Sequence, residues 1–501
     1  MNQARKTFIV IIAAFTVFRL WYVQSGILDL AADEAQYWDW SRNLDLSYYS
    51  KGPLIAWLIG FFTRLGGDTV LFVRLGAVLC ALGTSIIFYR LVWRMTGREN
   101  IALYAATALQ VIPLFSAGGV LMTIDPPLVF LWALAIYALC LVFFDDRKGW
   151  WYLFGICLGL GLLAKYSMAY VVLGLLFFLV FSKTHRHWLG RKEPYLALLL
   201  GGVIFSPVIY WNARHGWVAA RHVAGQVPDV EKAGISLSLL GEFVGSQAGI
   251  LSPLVFIGII YGLYAAARQG FKHRNEAMLF LFSFSGTILI TMTLLSAKGK
   301  VQANWAAPAY FTAGVATAVA IGRLETSARL RGFLIAALSL SMLMSTVIYN
   351  TDMVRALGVP WNPKNDPTSR LKGWQELGEA ASEVRRSMGT EERTFVLSDR
   401  YQISSEMAFY MDGQPHTYCV NLGRRMNQFD IWGGLNEQKG KDAVLVVTGT
   451  GYFPAELKES FDRYEQARTV TITRTGRELH HYTIFKCYGF RGFETKETGR
   501  Y

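Results

Sequence analysis

Residues 31–53 read AADEAQYWDWSRNLDLSYYSKGP, and they interrupt an otherwise apolar N-terminal half. Asp33, Glu34, Asp39, Arg42, Asp45 and Lys51 crowd there, together with Tyr37, Trp38, Trp40, Tyr48 and Tyr49. Runs at 7–24 and 69–92 on either side are long and apolar enough to cross about 30 Å of hydrocarbon, so the stretch reads as a loop at a membrane surface. Such a loop has no packing reason to concentrate ionisable groups, which marks it as a candidate for chemistry at the membrane boundary. Its aromatic residues are read as anchors at headgroup depth, and Asp39 and Asp45 as charges with no catalytic part.

Outward from this loop the composition is that of a polytopic α-helical membrane protein. The chain has 501 residues, 53% of them hydrophobic and 17% charged, with a mean hydropathy of +0.29; a wholly soluble protein is excluded. Further apolar runs at 101–119, 126–144, 150–165, 167–182, 194–212, 247–267, 276–296, 304–321 and 331–349 bring the expected number of transmembrane helices to about eleven. The run from Trp150 to Phe181 is too long for one straight span and is interrupted by Lys165, so two helices hinged there are expected. The net charge of +13 sits largely in short basic loops such as Arg90–Arg98 and Lys183–Lys192. That pattern is what membrane topology requires, and it argues against a nucleic-acid partner. These loops define the cytoplasmic side. The opposite, periplasmic side receives the opening loop, the turn around Asp125, Lys165, residues 213–245 and 298–304, and everything after Asn350.

Two domains follow: a transmembrane domain over 1–350, and a small periplasmic α/β domain over 351–501. In the second, Trp374–Met388 reads as an amphipathic helix, and 393–397, 443–447 and 470–473 as short β-branched strands. It has neither a Gly-rich phosphate loop nor a metal-ligand cluster, so no nucleotide or redox cofactor is expected. Cys419 and Cys487 are candidates to pair there if the compartment is oxidising. The first apolar run lacks a convincing cleavage site and is read as a retained helix.

Several outer-face features fall together. In TIDPP (123–127) Asp125 stands just ahead of two prolines that open a helix, where capping alone would be ordinary. Lys51, Lys165, Lys298 and Lys300 are cations at the outer ends of apolar segments, against the orientation rule. Snorkelling explains any one of them; their gathering near an acidic loop suggests a bound phosphate. Arg214 and His215, in WNARHGW, are candidates to shape a substrate pocket, although an exposed loop explains each alone. Carboxylates with cations at headgroup depth suit a reaction on a lipid-linked phosphoester. A carboxylate accepts the proton of the attacking hydroxyl, and fixed positive charge holds the leaving phosphate. A divalent metal ion held by Asp33 and Asp125 is a further possibility; no His-rich spacing argues for zinc.

DEAQYWDWSRNLDLSYYSKGPLIAWL, TIDPPLVFLWALAIYAL and GICLGLGLLAKYSMAYVVLGLLFFL, in that order, resemble the GT-C membrane glycosyltransferases, specifically the protein O-mannosyltransferase-like family (glycosyltransferase family 39) that includes bacterial lipid A aminoarabinose transferases. The resemblance covers about residues 5–350. It implies an inverting transfer of a sugar from a polyprenyl (undecaprenyl) phosphate donor to a lipid or glycan acceptor, such as lipid A, at the periplasmic face of the bacterial inner membrane. It also implies site roles: Asp33, Glu34 and Asp125 as catalytic residues, with Asp33 the base, Glu34 its neighbour and Asp125 the second-loop acid, and Lys51, Lys165 and Lys298 as donor-phosphate contacts, with Arg42 a further contact. No β-trefoil repeat is visible, which weighs against transfer to protein. Charges at one face without an internal repeat weigh against a lipid-linked sugar transporter.

Overall fold

A computed structural model of the chain describes residues 2–225, 234–325, 327–356, 366–389, 391–474 and 476–494. Up to Tyr349 the chain is helical. α1 (Gln3–Gln24) is followed by α2 (Ala32–Arg42), α3 (Leu54–Gly66), α4 (Val70–Thr96), α5 (Glu99–Val111), α6 (Pro113–Gly118) and α7 (Asp125–Asp145). Then come α8 (Trp150–Ala164), α9 (Tyr170–Phe181), α10 (Lys192–Arg214), α11 (Val218–Ala224) and α12 (Leu237–Leu251). α13 (Pro253–Phe271), α14 (Glu276–Ser296), α15 (Ala307–Gly322) and α16 (Ala328–Tyr349) complete the bundle. Part of the loop expected over 213–245 lies outside the described residues.

Among the described residues, eight helices are long and apolar enough to cross a membrane, and α3, α8, α9 and α12 are shorter apolar helices. The chain is a multi-pass membrane protein. Several expected spans divide. The run 101–119 breaks at Ile112, which is extended (φ −71°, ψ 125°) because a residue before proline avoids the helical region. The run 150–182 breaks at Lys165, also extended (φ −156°, ψ 131°), as its length required. The expected span 247–267 is two helices, α12 and α13, joined at Ser252 with φ 73°. α7 is apolar all round and lies at the centre of the bundle, with Trp132 donating its indole N–H to Thr312 at 3.0 Å.

α2 takes up the first half of the opening loop, and the loop's aromatics are core. Tyr37, Trp38, Trp40, Tyr48 and Tyr49 are all at most 4% exposed. Trp40 stacks on Tyr48 at 4.4 Å, and the indole N–H of Trp38 donates to Asp68 at 2.7 Å. The expectation of headgroup anchors is therefore corrected: these rings pack between α2, α3 and what lies above them.

What lies above is the C-terminal region. It comprises α17 (Asp352–Ala356), α18 (Trp374–Ser387), β1 (Thr394–Ser398), α19 (Tyr401–Tyr410), β2 (Thr417–Cys419), α20 (Gln428–Trp432), β3 (Asp442–Thr448), β4 (Phe461–Arg474) and β5 (Arg477–Phe490). The sheet order is β2-β1-β3-β5-β4. β1 runs parallel to β2 and β3, and the β3–β5 and β5–β4 pairs are antiparallel. α18 and α19 cover one face, around Leu377, Met407, Val444 and Ile484; Phe395, Leu445, Phe485 and Phe490 fill the other. Cys419 and Cys487 are free. They sit on β2 and β5, which β1 and β3 separate, and at about 4.8 Å per strand that is too far for a disulfide.

α19 docks the sheet onto the helical bundle. Its Phe409 meets Trp38 edge-on at 4.9 Å, and the Tyr410 hydroxyl accepts from the Leu30 N–H at 2.7 Å. Arg42 donates to the Gln414 carbonyl at 2.8 Å while paired with Asp39 at 2.6 Å.

Candidate active site

α2 starts where the chain leaves α1, and it is held there by one buried ion pair. Glu34 reaches back to the Ala31 N–H at 2.9 Å, closing the first turn of the helix. Arg74 of α4 then grips both Glu34 oxygens, at 3.0 and 2.8 Å, and donates to the carbonyls of Leu28 and Asp29. The Met122 N–H donates to Glu34 at 2.7 Å. Every acceptor direction of Glu34 is taken, and the side chain is fully enclosed. The expectation that Glu34 is catalytic is corrected: it is a positioning residue that binds the Asp33 helix to the turn that carries Asp125.

Asp33, one residue earlier, points the other way. Its side chain is open to solvent, ringed by protein, and its Oδ1 accepts from the Tyr401 hydroxyl at 3.4 Å. That crowding raises its pKa above the ordinary carboxylate value, against the pull of Lys51 and of the Tyr401 hydrogen bond. The Tyr401 hydroxyl is raised in turn, by burial and then by Asp33.

Asp125 opens α7 ahead of Pro126 and Pro127, where a carboxylate suits the helix dipole. Lys165 donates to its Oδ1 at 2.7 Å and Asn304 to its Oδ2 at 2.7 Å. Lys165 reaches Asp125 because the chain is extended between α8 and α9. In this arrangement its ammonium serves Asp125, whereas the sequence suggested a donor-phosphate contact.

Lys51 is brought beside them by a close backbone approach. Gly52 packs against the Leu163 carbonyl at the end of α8, leaving no room for a Cβ. The ammonium of Lys51 makes no hydrogen bond or ion pair with the described residues. Burial first and then Lys165 lower its pKa, Asp33 and Asp125 oppose them, and Arg425 adds to the lowering. Asp33, Asp125, Lys51 and Lys165 thus share one electrostatic neighbourhood.

Other expected site residues lie elsewhere. Arg42 is committed to Asp39, to Gln414 and, at 4.5 Å, to the face of Trp38; it fastens the C-terminal region instead of meeting a substrate. Lys300 forms an exposed ion pair with Glu242 at 2.9 Å. Arg214 lies on the surface against Tyr210, and His215 stacks on Trp211 at 4.0 Å while its Nδ1 contacts the Trp211 carbonyl. None of these three points to Asp33. Lys298 is half-buried in the turn before Asn304.

Residues that sequence reasoning missed come chiefly from the C-terminal region. Tyr401 bonds Asp33, Arg370 acts on Asp33, and Arg425 acts on Lys51, Tyr401 and His222. His222 is pushed down to about 4, by burial first and then by the cations Arg425 and Lys51, so it is neutral at pH 7. Only Arg74 had a visible signal, as a lone arginine in an apolar run.

A divalent metal held by Asp33 and Asp125 does not fit these residues. Each Asp125 oxygen already accepts one hydrogen bond, from Lys165 or from Asn304, and among the described residues no three His, Cys, Asp or Glu side chains gather as a donor set.

The fold is a bundle of membrane helices with an acid-bearing first loop, roofed by a C-terminal sheet. Residues 50–211 match the family described as dolichyl-phosphate-mannose-protein mannosyltransferase. The chain is 30% identical over 312 residues to the lipid A galacturonosyltransferase RgtD of Rhizobium johnstonii, covering 62% of this chain and 64% of that protein. It is 28% identical over 337 residues to the undecaprenyl phosphate-alpha-4-amino-4-deoxy-L-arabinose arabinosyl transferase of Photorhabdus laumondii, covering 60% and 57%. Each match takes in less than two thirds of the relative's length. The fold matches ArnT of Cupriavidus metallidurans bound to undecaprenyl phosphate with a TM-score of 0.65, at 17% identity, over 95% of this chain and 97% of that one.

Proposed function

We propose that this chain is an inverting glycosyltransferase that moves a monosaccharide from a polyprenyl phosphate to a lipid A-type glycolipid, at the periplasmic face of a bacterial inner membrane. The observation that carries the reading is the juxtaposition of Asp33, open and ringed by protein, with Lys51, whose ammonium has no ion-pair partner among the described residues. The relatives support the same reading: two are named for lipid A or undecaprenyl-phosphate sugar transfer, and a solved structure of the same fold holds undecaprenyl phosphate.

In the reaction the acceptor hydroxyl attacks the anomeric carbon from the face opposite the phosphate. Asp33 takes the hydroxyl proton as the new C–O bond forms, and the raised pKa makes it a stronger base than an ordinary aspartate. The bond from the anomeric carbon to the phosphate oxygen breaks, and Lys51 meets the charge that develops there. Asp125 holds Lys165 and Asn304 in place beside Lys51. Tyr401 fixes the carboxyl of Asp33 toward the acceptor.

Asp33→Asn, nearly isosteric, is expected to lower transfer by at least ~10²-fold while the purified protein still binds polyprenyl phosphate. Full transfer by Asp33→Asn would end the assignment.

A further inference from the structure

Two arginines of the bundle are fully enclosed, Arg19 of α1 and Arg74 of α4, each 1% exposed. Arg74 has a counterion: both oxygens of Glu34 accept from it, as do two backbone carbonyls. Arg19 has none among the described residues. Its Nε and Nη1 are without a hydrogen-bond partner there, and the nearest aromatic face, that of Phe15, is 5.9 Å away. The phenol of Tyr349 faces the guanidinium, but it is neutral and already shares two hydrogen bonds with Ser116, at 3.1 and 3.0 Å. Arg19 lines a cavity of about 50 Å³ together with Thr84, Ser85, Gln110 and Asp125, which α4, α5 and α7 supply. Gly119 holds the guanidinium in place, since a Cβ there would stand 2.5 Å from Nε. The Asp125 carboxylate forms its ion pair with Lys165, at 2.7 Å, and not with Arg19. Gln110 donates through Nε2 to Ser85 and to the Ala106 carbonyl, at 2.9 and 3.0 Å, which leaves its Oε1 without a donor among the described residues.

A buried charge without a counterion is strongly disfavoured, and inside a membrane bundle such a group marks a binding site. Water can fill the hydrogen bonds of Arg19 but cannot balance its charge. At roughly 10–15 Å³ of such space per water, the cavity takes about three or four waters, or one oxyanion of that bulk. We infer that the Arg19 cavity is an oxyanion site, separate from Lys51, that takes a phosphate still bearing one proton: a phosphomonoester headgroup or inorganic phosphate. The phosphate oxygens accept from Nε and Nη1 of Arg19, whose planar fork suits them, and the P–O–H donates to Oε1 of Gln110. A phosphodiester has no such proton, so the donor linkage that Lys51 meets is not the ligand of this cavity. The site goes beyond the proposed function and does not depend on it.

The test uses the full-length protein in a neutral detergent at about pH 6.5, where a phosphomonoester keeps part of its proton. Inorganic phosphate, short-chain phosphatidic acid and sulfate are titrated separately at constant ionic strength set with sodium chloride. Binding is read as a rise in Tm, and the bound mass by native mass spectrometry. Every protein carries Lys51→Gln, so that the donor-phosphate lysine is silent. Saturable binding of phosphate or of phosphatidic acid is expected, with sulfate weaker. A response to inorganic phosphate assigns the free ion, and a response to phosphatidic acid alone assigns a lipid headgroup. Adding Arg19→Gln is expected to raise the Kd by at least about tenfold, and Gly119→Ala, which crowds the guanidinium but keeps its charge, to raise it several-fold. Binding of neither phosphate compound in the Lys51→Gln background overturns the inference, as does sulfate binding as tightly as phosphate. A Kd unchanged by Arg19→Gln overturns it too, and where that variant fails to fold, a Kd unchanged by Gly119→Ala does so. None of these readings involves sugar transfer, so each outcome leaves the proposed function to its own test.

Discussion

Asp33 and Lys51 are both displaced from their ordinary protonation behaviour, in opposite directions, and this sets an expected pH profile. Desolvation raises the Asp33 pKa, so the proposed base becomes active along an acid limb whose midpoint lies above about 3.9, the ordinary aspartate value. Burial lowers Lys51, so activity declines again as its proton is lost below about 10.4. The Tyr401 hydrogen bond favours the charged carboxylate. Tyr401→Phe should therefore move the acid limb to higher pH in a kcat/KM profile, and an unmoved limb would separate Tyr401 from the base. Asp33, Asp125, Lys51 and Lys165 were legible in the sequence because an ionisable group beside an apolar run stands out. Tyr401, Arg370 and Arg425 were not, because they come from a polar region where tyrosine and arginine are commonplace. No local pattern states that they fold back over residues more than three hundred positions earlier.

At the scale of elements, α2 escaped sequence reading for a related reason. It is buried on nearly every side, so it shows neither the polar face that marks an amphipathic helix nor the length of a membrane span. Its charges looked like those of a wet loop, yet Glu34 and Asp39 are buried and each is paired with an arginine. The Arg74–Glu34 pair ties together α2, α4 and the turn before α7, and removing one partner would leave a buried charge without its counterion. Arg74→Leu is expected to cost about 3–5 kcal/mol, visible as loss of monodisperse protein on detergent size exclusion. Near-normal thermal stability in that variant would show that α2 is held by its aromatic packing instead. The hinge at Lys165 was foreseen from the length of Trp150–Phe181, which could not cross straight, and from the lysine that interrupts it.

For the whole molecule, the division at about residue 350 is real in composition but not in the site, which draws on both sides of it. The seam is expected to respond to pH. Glu406 of α19 is completely buried there, neither oxygen accepts a hydrogen bond among the described residues, and its pKa is raised well above the ordinary glutamate value, by burial first and then by Asp29 and Glu34. The unfolded chain releases this proton near pH 4.3 while the folded chain keeps it. Above that pH the folded state binds more protons, so stability falls as pH rises toward the folded pKa. Glu406→Gln should flatten the decline of Tm between pH 5 and 8, whatever its effect on absolute Tm; an unchanged slope would mean that other groups govern it. The short strands at 394–398 and 442–448 could be read from their β-branched runs, whereas of the long β4–β5 hairpin only the 470–473 end of β4 was read. Its outer strand β4 is mostly exposed and rich in charge, so alternation toward a core is missing. The seam also bears on how such chains diverge. Because the region after 350 supplies Tyr401, which bonds Asp33 of the bundle, exchanging that region between two relatives would exchange a partner of the carboxylate and leave the carboxylate itself in place.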